Sequence, residues 1–236
     1  LATPFISDVR VGKPRKMGQE NATDPLDRPW ISGIVKESIK GPVWLGKTQL
    51  DGDGQADLKH HGGPDKAILI YAASHYPWWQ EELNRSDFGP GAFGENLVVT
   101  GLTEEEVCIG DVYQVGETRI QISQPRQPCW KPARLWRIKD LALRMQNTGK
   151  TGWYARVLEE GKVEKGALLL RLERPYPRWT IAFCNEVMHQ RKKDRKLAGE
   201  LAACPVLAKS WVDTLSKRAE TGENPDPKPR LAGPNE

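Results

Sequence analysis

The chain has 236 residues, 38% hydrophobic and 28% charged, which is enough for a sizeable core and far from a disordered composition. Its net charge of +4 is a mildly basic tail on a nearly neutral body: residues 191–236 hold ten Lys/Arg against seven Asp/Glu, the rest twenty-five against twenty-four. That balance excludes a basic nucleic-acid groove, and no apolar run nears the roughly 18 residues that a transmembrane helix needs.

LATPFISDVRVGKPRK opens the chain without the apolar h-region of a signal peptide. FISDVRVG and WISGIVKESIKG alternate apolar and polar residues as half-buried strands do. KAILIY predicts a buried strand, and SHYPWWQEELNR a short helix with Trp78, Trp79 and Leu83 available to pack. DVYQVGETRIQIS predicts a hairpin turning at Gly116-Glu117. IKDLALRMQNTG predicts a helix with Ile138, Leu141 and Met145 on one face and a stop at Gly149. GKVEKGALLLRLE then gives a turn and a strand. Strands interrupted by short helices predict a mainly β fold with α over residues 1–174, a partly closed β-barrel with helices over its openings. After RPYPRW, the segments TIAFCNEVMHQ, DRKLAGELAAC and PVLAKSWVDTLSKRAE predict a three-helix domain over residues 175–220. TGENPDPKPRLAGPNE, rich in Pro and Gly, predicts a loose tail over residues 221–236.

The four cysteines, Cys108, Cys129, Cys184 and Cys204, form no C-x-x-C pair, so neither a zinc site nor an iron–sulfur cluster is expected. Without a signal peptide, free thiols in a cytoplasmic protein are expected. Cys129 stands apart. In QISQPRQPCWKPARLW it lies between Pro128 and Pro132, which stiffen the backbone, with Arg126, Lys131, Arg134 and Arg137 nearby. A thiolate is both a nucleophile and a soft metal ligand, cations favour it over the thiol, and structural cysteines rarely sit among cations. The other three lie in helix patterns or before an apolar strand and read as structural.

Three further stretches concentrate polar chemistry. DGDGQADLKHHGGPDKAI crowds Lys59, His60, His61, Asp65 and Lys66 around the Gly62-Gly63-Pro64 turn, where backbone can approach a ligand. The same pattern suits a polar surface loop. GPGAFGENLVV sets Phe93 between Gly91 and Gly94 and brings Glu95 and Asn96 to a strand entrance. There they can read a heterocycle's donors and acceptors or cap a turn. MQNTGKTGW places Asn147, Thr148, Gly149, Lys150 and Thr151 in a turn with the donors a phosphate needs, although the Walker order is absent.

KHHGGPDKAI, FGENL, GLTEEEVCIGD, SQPRQPCWK and MQNTGKTGW, in this order, resemble the MOSC domain, named for the molybdenum cofactor sulfurase C-terminus. The likeness is greatest to its bacterial YiiM subgroup. It covers about residues 28–172, and the three-helix segment matches that subgroup's helical extension. The resemblance implies a β-barrel that binds a molybdopterin-type molybdenum cofactor with a cysteine sulfur on the metal. It also implies an oxidoreductase that reduces N-hydroxylated compounds such as 6-hydroxylaminopurine to the amines, detoxifying base analogues. Carried onto this chain, the metal ligand is Cys129, and the catalytic set is Cys129, Lys59, His60 and His61. The implied cofactor-binding set is Asp65, Lys66, Phe93, Glu95, Asn96, Arg126, Lys131, Arg134, Asn147, Thr148, Gly149 and Lys150. Elsewhere in the superfamily a single histidine is usual, so His60 is the extra one, and adjacent residues on an extended loop point in opposite directions. Protons for N–OH reduction would come from His60 or His61, at a pKa of about 6.5, while Lys59 or Arg134 would stabilise the departing oxygen.

With no G-x-G-x-x-G fingerprint, electrons are expected from a separate reductase, of flavin type. The expected partners are that reductase and a small N-hydroxylated substrate, with no nucleic acid and no membrane; a homodimer is compatible with the chain. Two other readings stay open: a carrier of the cofactor or its sulfur without turnover, and metal-free catalysis by Cys129 with a histidine base.

Overall fold

Residues 2–58 and 60–235 are described by the computed structural model. In chain order the first strands are β1 (Phe5–Val11), β2 (Arg15–Met17), β3 (Trp30–Ser32), β4 (Glu37–Ser38), β5 (Val43–Leu45) and β6 (Ile68–Ala72). They are followed by β7 (Leu97–Thr100), β8 (Val112–Val115), β9 (Thr118–Pro125), β10 (Trp153–Glu159), β11 (Gly161–Val163) and β12 (Leu169–Glu173). The helices of the first part are α1 (His75–Leu83), α2 (Trp130–Trp136) and α3 (Leu141–Thr148); α4 (Ile181–His189), α5 (Arg195–Ala202), α6 (Lys209–Thr221) and α7 (Lys228–Leu231) follow.

Eight strands form one mixed sheet in the order β12-β8-β9-β10-β6-β7-β1-β4, antiparallel except where β6 meets β7. The two sides of the sheet approach each other: Phe5 bridges Leu168, and the Leu169 N–H donates to the Pro4 carbonyl at 2.8 Å. The expected partly closed barrel is therefore present. Its hairpin turns where the repeat indicates, with Val115 opposite Thr118. At that turn Gly116 has φ of 57°, and a Cβ would lie 2.6 Å from the Lys162 carbonyl.

β6 shows how the fold makes a site. All five of its residues are buried, as in a strand covered on both faces. Ile68, Ile70 and Ala72 point into the barrel core, whereas Tyr71 joins an aromatic cluster with Trp79, Phe88 and Phe93 beside α1 and α3. Trp78, expected to pack, is only half-buried, with the Lys150 ammonium 5.1 Å from its ring.

WISGIVKESIKG does not form one strand. It splits into β3 and β4, and residues 33–36 form a loop. The cause is a close approach: a Cβ on Gly33 would collide with the Gly54 carbonyl, so this backbone lies against the segment that carries Asp53.

Three helices follow the barrel where expected. Thr180 caps α4 by accepting from the Phe183 N–H, and Asp194 caps α5 by accepting from the Leu197 N–H. Trp179, Cys184, Leu201, Trp211 and Leu215 share one core with Ile109, Ile120 and Ile122, so these helices seal the barrel rather than hang from it. The expected loose tail is a correction. Residues 228–235 fold back as α7 and a 3₁₀ turn, with Asn235 buried and bonded to the Trp130 carbonyl at 3.2 Å. Its Pro and Gly residues shape a tight return rather than disorder. Among the described residues no helix is long and apolar enough to cross a membrane, and the four cysteines are free.

Candidate functional site

Cys129 follows β9 and occupies the N-cap position of α2, in extended conformation with φ of −126°. Its sulfur makes no capping bond and lines an open cleft whose enclosed part is about 70 Å³. The cleft is lined from four directions. The 53–66 segment brings Asp53, Gln55, His61 and Lys66; the 32–36 loop brings Lys36; the turn before β7 brings Phe93 and Asn96; and β9, α2 and β10 bring Arg126, Lys131 and Tyr154.

Among the described residues the sulfur has one close polar neighbour, the Nε2 of His61 at 3.6 Å. The other ring nitrogen, Nδ1, accepts from the Lys131 ammonium at 3.4 Å. Nδ1 also lies 3.7 Å from Asp57 Oδ2, and the closer ammonium, which can only donate, favours the tautomer with the lone pair on Nδ1 and Nε2–H towards the sulfur. Burial, reinforced by the charges of Lys131, Lys66 and Arg126, pushes the His61 pKa down to about 3, only partly opposed by Asp57. This lowering favours the neutral imidazole near pH 7, whereas the sequence expectation placed its pKa at about 6.5.

Cations dominate this cleft. Among the described lining residues, Lys36, Lys66, Arg126 and Lys131 face the one carboxylate of Asp53, with Asp57 behind His61 at 3.7 Å. Asp53 is fully committed. It pairs with buried Lys36, accepts from the Gly12 N–H at 2.9 Å and from Asn96 Nδ2 at 2.9 Å. Burial lowers the Lys36 pKa, with Asp53 opposing the shift. Arg126, only 4% exposed, donates through Nη2 to the Phe93 carbonyl at 3.1 Å. Its Nη1 is buried with no partner among the described residues. A guanidinium donor left open in a cationic cleft is a place for an anionic oxygen, because an unsatisfied buried charge is costly. Burial raises the Tyr154 phenol to about 12, so it remains an O–H donor.

The sequence motifs divide between two faces. Cys129, His61, Lys66, Phe93, Asn96, Arg126 and Lys131 converge on the cleft. His60 does not: it is exposed, and its carbonyl accepts from the Lys66 ammonium at 2.8 Å. Lys59 lies outside the described residues. Asp65 pairs with Arg156 at 2.8 Å and faces another groove. Glu95 is buried beneath its own turn, accepting from the Phe93 N–H at 3.0 Å and the Tyr76 hydroxyl at 2.5 Å; the turn-cap reading holds. Arg134 points away and donates to the Leu26 and Arg28 carbonyls at 3.2 and 2.7 Å, while Arg137 pairs with Asp24 and Asp27. Two of the four cations near Cys129 in sequence thus anchor the 24–28 loop.

Thr148, Gly149 and Lys150 border a separate cavity shared with α4, and Asn147 is exposed. The Thr151 N–H bonds Gly149, and the Gly152 N–H bonds Glu104. Lys36, Asp53, Gln55 and Tyr154 were not found from sequence. The glycine-flanked acid in DGDG was a usable signal for Asp53; Lys36 offered none.

Among the described residues, no group of three His, Cys, Asp or Glu side chains could hold a metal by itself. A single cysteine sulfur with nearby cations fits instead a metal that arrives on an anionic organic group.

Residues 57–169 match the MOSC domain, and residues 179–222 match the YiiM-like 3-alpha helix domain. The chain is 45% identical over 215 residues to the uncharacterized protein YflK of Bacillus subtilis, covering 91% of this chain and 94% of YflK. It is 36% identical over 190 residues to a Gibberella moniliformis protein named Reductase, covering 79% of this chain and 34% of that larger protein. The crystal structure of YiiM from Escherichia coli superposes with a TM-score of 0.81 at 32% identity, covering 98% of this chain and all of the other. Residues 223–236 lie outside both family matches.

Proposed function

Because the chain belongs to the MOSC-domain family, in its YiiM branch, we propose that it is a molybdenum-cofactor-dependent reductase of N-hydroxylated compounds. The observation that carries this reading is the Cys129 sulfur, uncapped in a cleft with four cations and one unpartnered buried guanidinium nitrogen. Cys129 would bind the metal, since molybdenum favours soft thiolate donors. Arg126 and Lys131 would hold the cofactor's phosphate. When bound, the cofactor supplies two-electron redox chemistry at one centre.

The residues of the cleft then have separable tasks. Converting N–OH to N–H takes two electrons and two protons and releases water. Neutral His61 holds a proton on Nε2 beside the sulfur, and it can donate a hydrogen bond to the departing oxygen. Tyr154 presents a second, permanently protonated donor. Lys66, whose pKa burial lowers, is better placed than an exposed lysine to release a proton. Electrons would come from a separate flavin-type reductase. The substrate class follows the YiiM likeness, with 6-hydroxylaminopurine as the probe.

The metal-free Cys–His alternative is disfavoured by the same contacts. In the tautomer that the Lys131 contact favours, Nε2 carries hydrogen and has no lone pair with which to deprotonate the thiol. The test is molybdenum content and 6-hydroxylaminopurine reduction, driven by a chemical donor, in wild type and Cys129→Ser. The variant is expected to fold, keep some pterin and lose turnover by on the order of 100-fold or more. Wild-type turnover in Cys129→Ser refutes the reading; stoichiometric molybdenum without any turnover favours the carrier.

A further inference from the structure

The C-terminal segment reaches the loop that presents Cys129. Arg230 on α7 donates through Nη1 to the Pro128 carbonyl and through Nη2 to Gln146 Oε1 at 2.6 Å. Asn235 donates to the Trp130 carbonyl at 3.2 Å. Between them Gly233 lies against the Trp130 ring so closely that a Cβ would collide with it. The carbonyls on both sides of Cys129 are therefore held by the last eight described residues of the chain, although a hundred residues separate them in sequence.

We propose that residues 228–235 act as a clamp that sets the direction of the Cys129 sulfur, with Arg230 as its positioning residue. The Pro128 carbonyl belongs to the rigid peptide plane that ends at the Cys129 nitrogen. Fixing that oxygen fixes the plane that carries the Cys129 N and Cα. The Asn235 bond to the Trp130 carbonyl holds the chain on the far side, so the φ between the two anchors, which aims the Cα–Cβ bond, is restricted. The Gln146 contact ties the same guanidinium to α3, so the loop is referenced to the packed body. Arg134 anchors the other end of α2 to the 25–28 carbonyls. The helix bearing the sulfur is thereby gripped from two sides. A lysine offers one nitrogen in place of a fork and cannot span both acceptors equally well.

The inference rests on Cys129 being the working sulfur of the cleft, but its test needs no cofactor. Native full-length protein is treated with iodoacetamide, and alkylation of each cysteine is followed by mass spectrometry. Cys108, Cys184 and Cys204 are 1%, 0% and 4% exposed and serve as internal controls. The rate is read at a pH where the Cys129 thiol is fully ionised, so that loss of the Arg230 charge does not act through the thiolate fraction. There Arg230→Ala is expected to speed alkylation of Cys129 about ten-fold, equivalent to about 1.4 kcal/mol, with the controls unchanged. Arg230→Lys should fall between wild type and alanine. Gly233→Ala, which touches no cleft residue, should also accelerate Cys129 alone. An unchanged or slower Cys129 rate, or acceleration of all four cysteines together, overturns the clamp. Its failure leaves the reductase reading standing, because that reading is tested separately by molybdenum content and turnover.

Discussion

Replacing Asp53 by Asn keeps the shape of the side chain and removes only its charge. In the native fold that carboxylate pairs with Lys36, which is 7% exposed, and accepts from Gly12 and Asn96. The variant leaves an ammonium buried without its counter-charge, a change that costs about 3–5 kcal/mol. An upper bound comes from the lysine itself. Giving up a proton at pH 7 from an ordinary pKa of about 10.4 costs about 5 kcal/mol, so the penalty stops there. For a chain of this size, that loss lowers Tm by roughly 6–20 °C.

The pH dependence has a definite sign. Lys36 titrates below its ordinary value in the fold, so the unfolded chain binds more protons across the window between the folded and unfolded pKa values. Stability from this group therefore rises as pH climbs towards about 10.4. Without Asp53 the folded pKa falls further, and the deficit relative to wild type should shrink from pH 7 to pH 9. Urea unfolding of both proteins at the two pH values measures it. A deficit under about 1 kcal/mol at pH 7, or one that grows with pH, refutes the assignment of Asp53 as the counter-charge that permits a lysine in this cleft.

The two histidines should separate: His61→Ala is expected to lower 6-hydroxylaminopurine reduction by on the order of 100-fold, whereas exposed His60→Ala stays within about two-fold. Comparable losses in both would contradict the loop geometry. Arg126→Gln removes the open guanidinium donor and should weaken cofactor retention by about 10- to 100-fold, read as pterin fluorescence per chain after dialysis; full retention would place the phosphate elsewhere. His189, whose pKa burial and then the charges of Arg230, Lys192 and Arg218 lower to about 3, makes the fold acid-sensitive. The unfolded chain protonates this group first, so stability falls as pH drops below about 6.5, by about 2–3 kcal/mol at pH 4.5. His189→Gln should flatten that acid limb by this amount in denaturant titrations, and an unaltered slope would show that His189 does not titrate there.

Local order in this protein was legible because it depends on neighbours in sequence. The hairpin about Gly116, the all-apolar β6, the α3 stop at Gly149 and the Thr180-capped α4 each follow from a period or a cap that a few residues define. The isolation of Cys129 between prolines, and its place in one motif order with a histidine-glycine turn, were also readable; its contact with His61 was not. The composition of the cleft was not. Lys36 enters it because Gly33 lies against Gly54, and Asp53 belongs to it because β1, the 32–36 loop and the entrance to β7 meet there. Arg134 leaves it because three carbonyls of a distant loop stand within its reach. The phosphate-like turn at residues 147–150 keeps its residue types but faces another cavity, and a tail that resembled a disordered end grips the loop that presents Cys129. Residue type states what a side chain can do, while its direction depends on strand pairings and close approaches between segments up to a hundred residues apart, which no local pattern encodes.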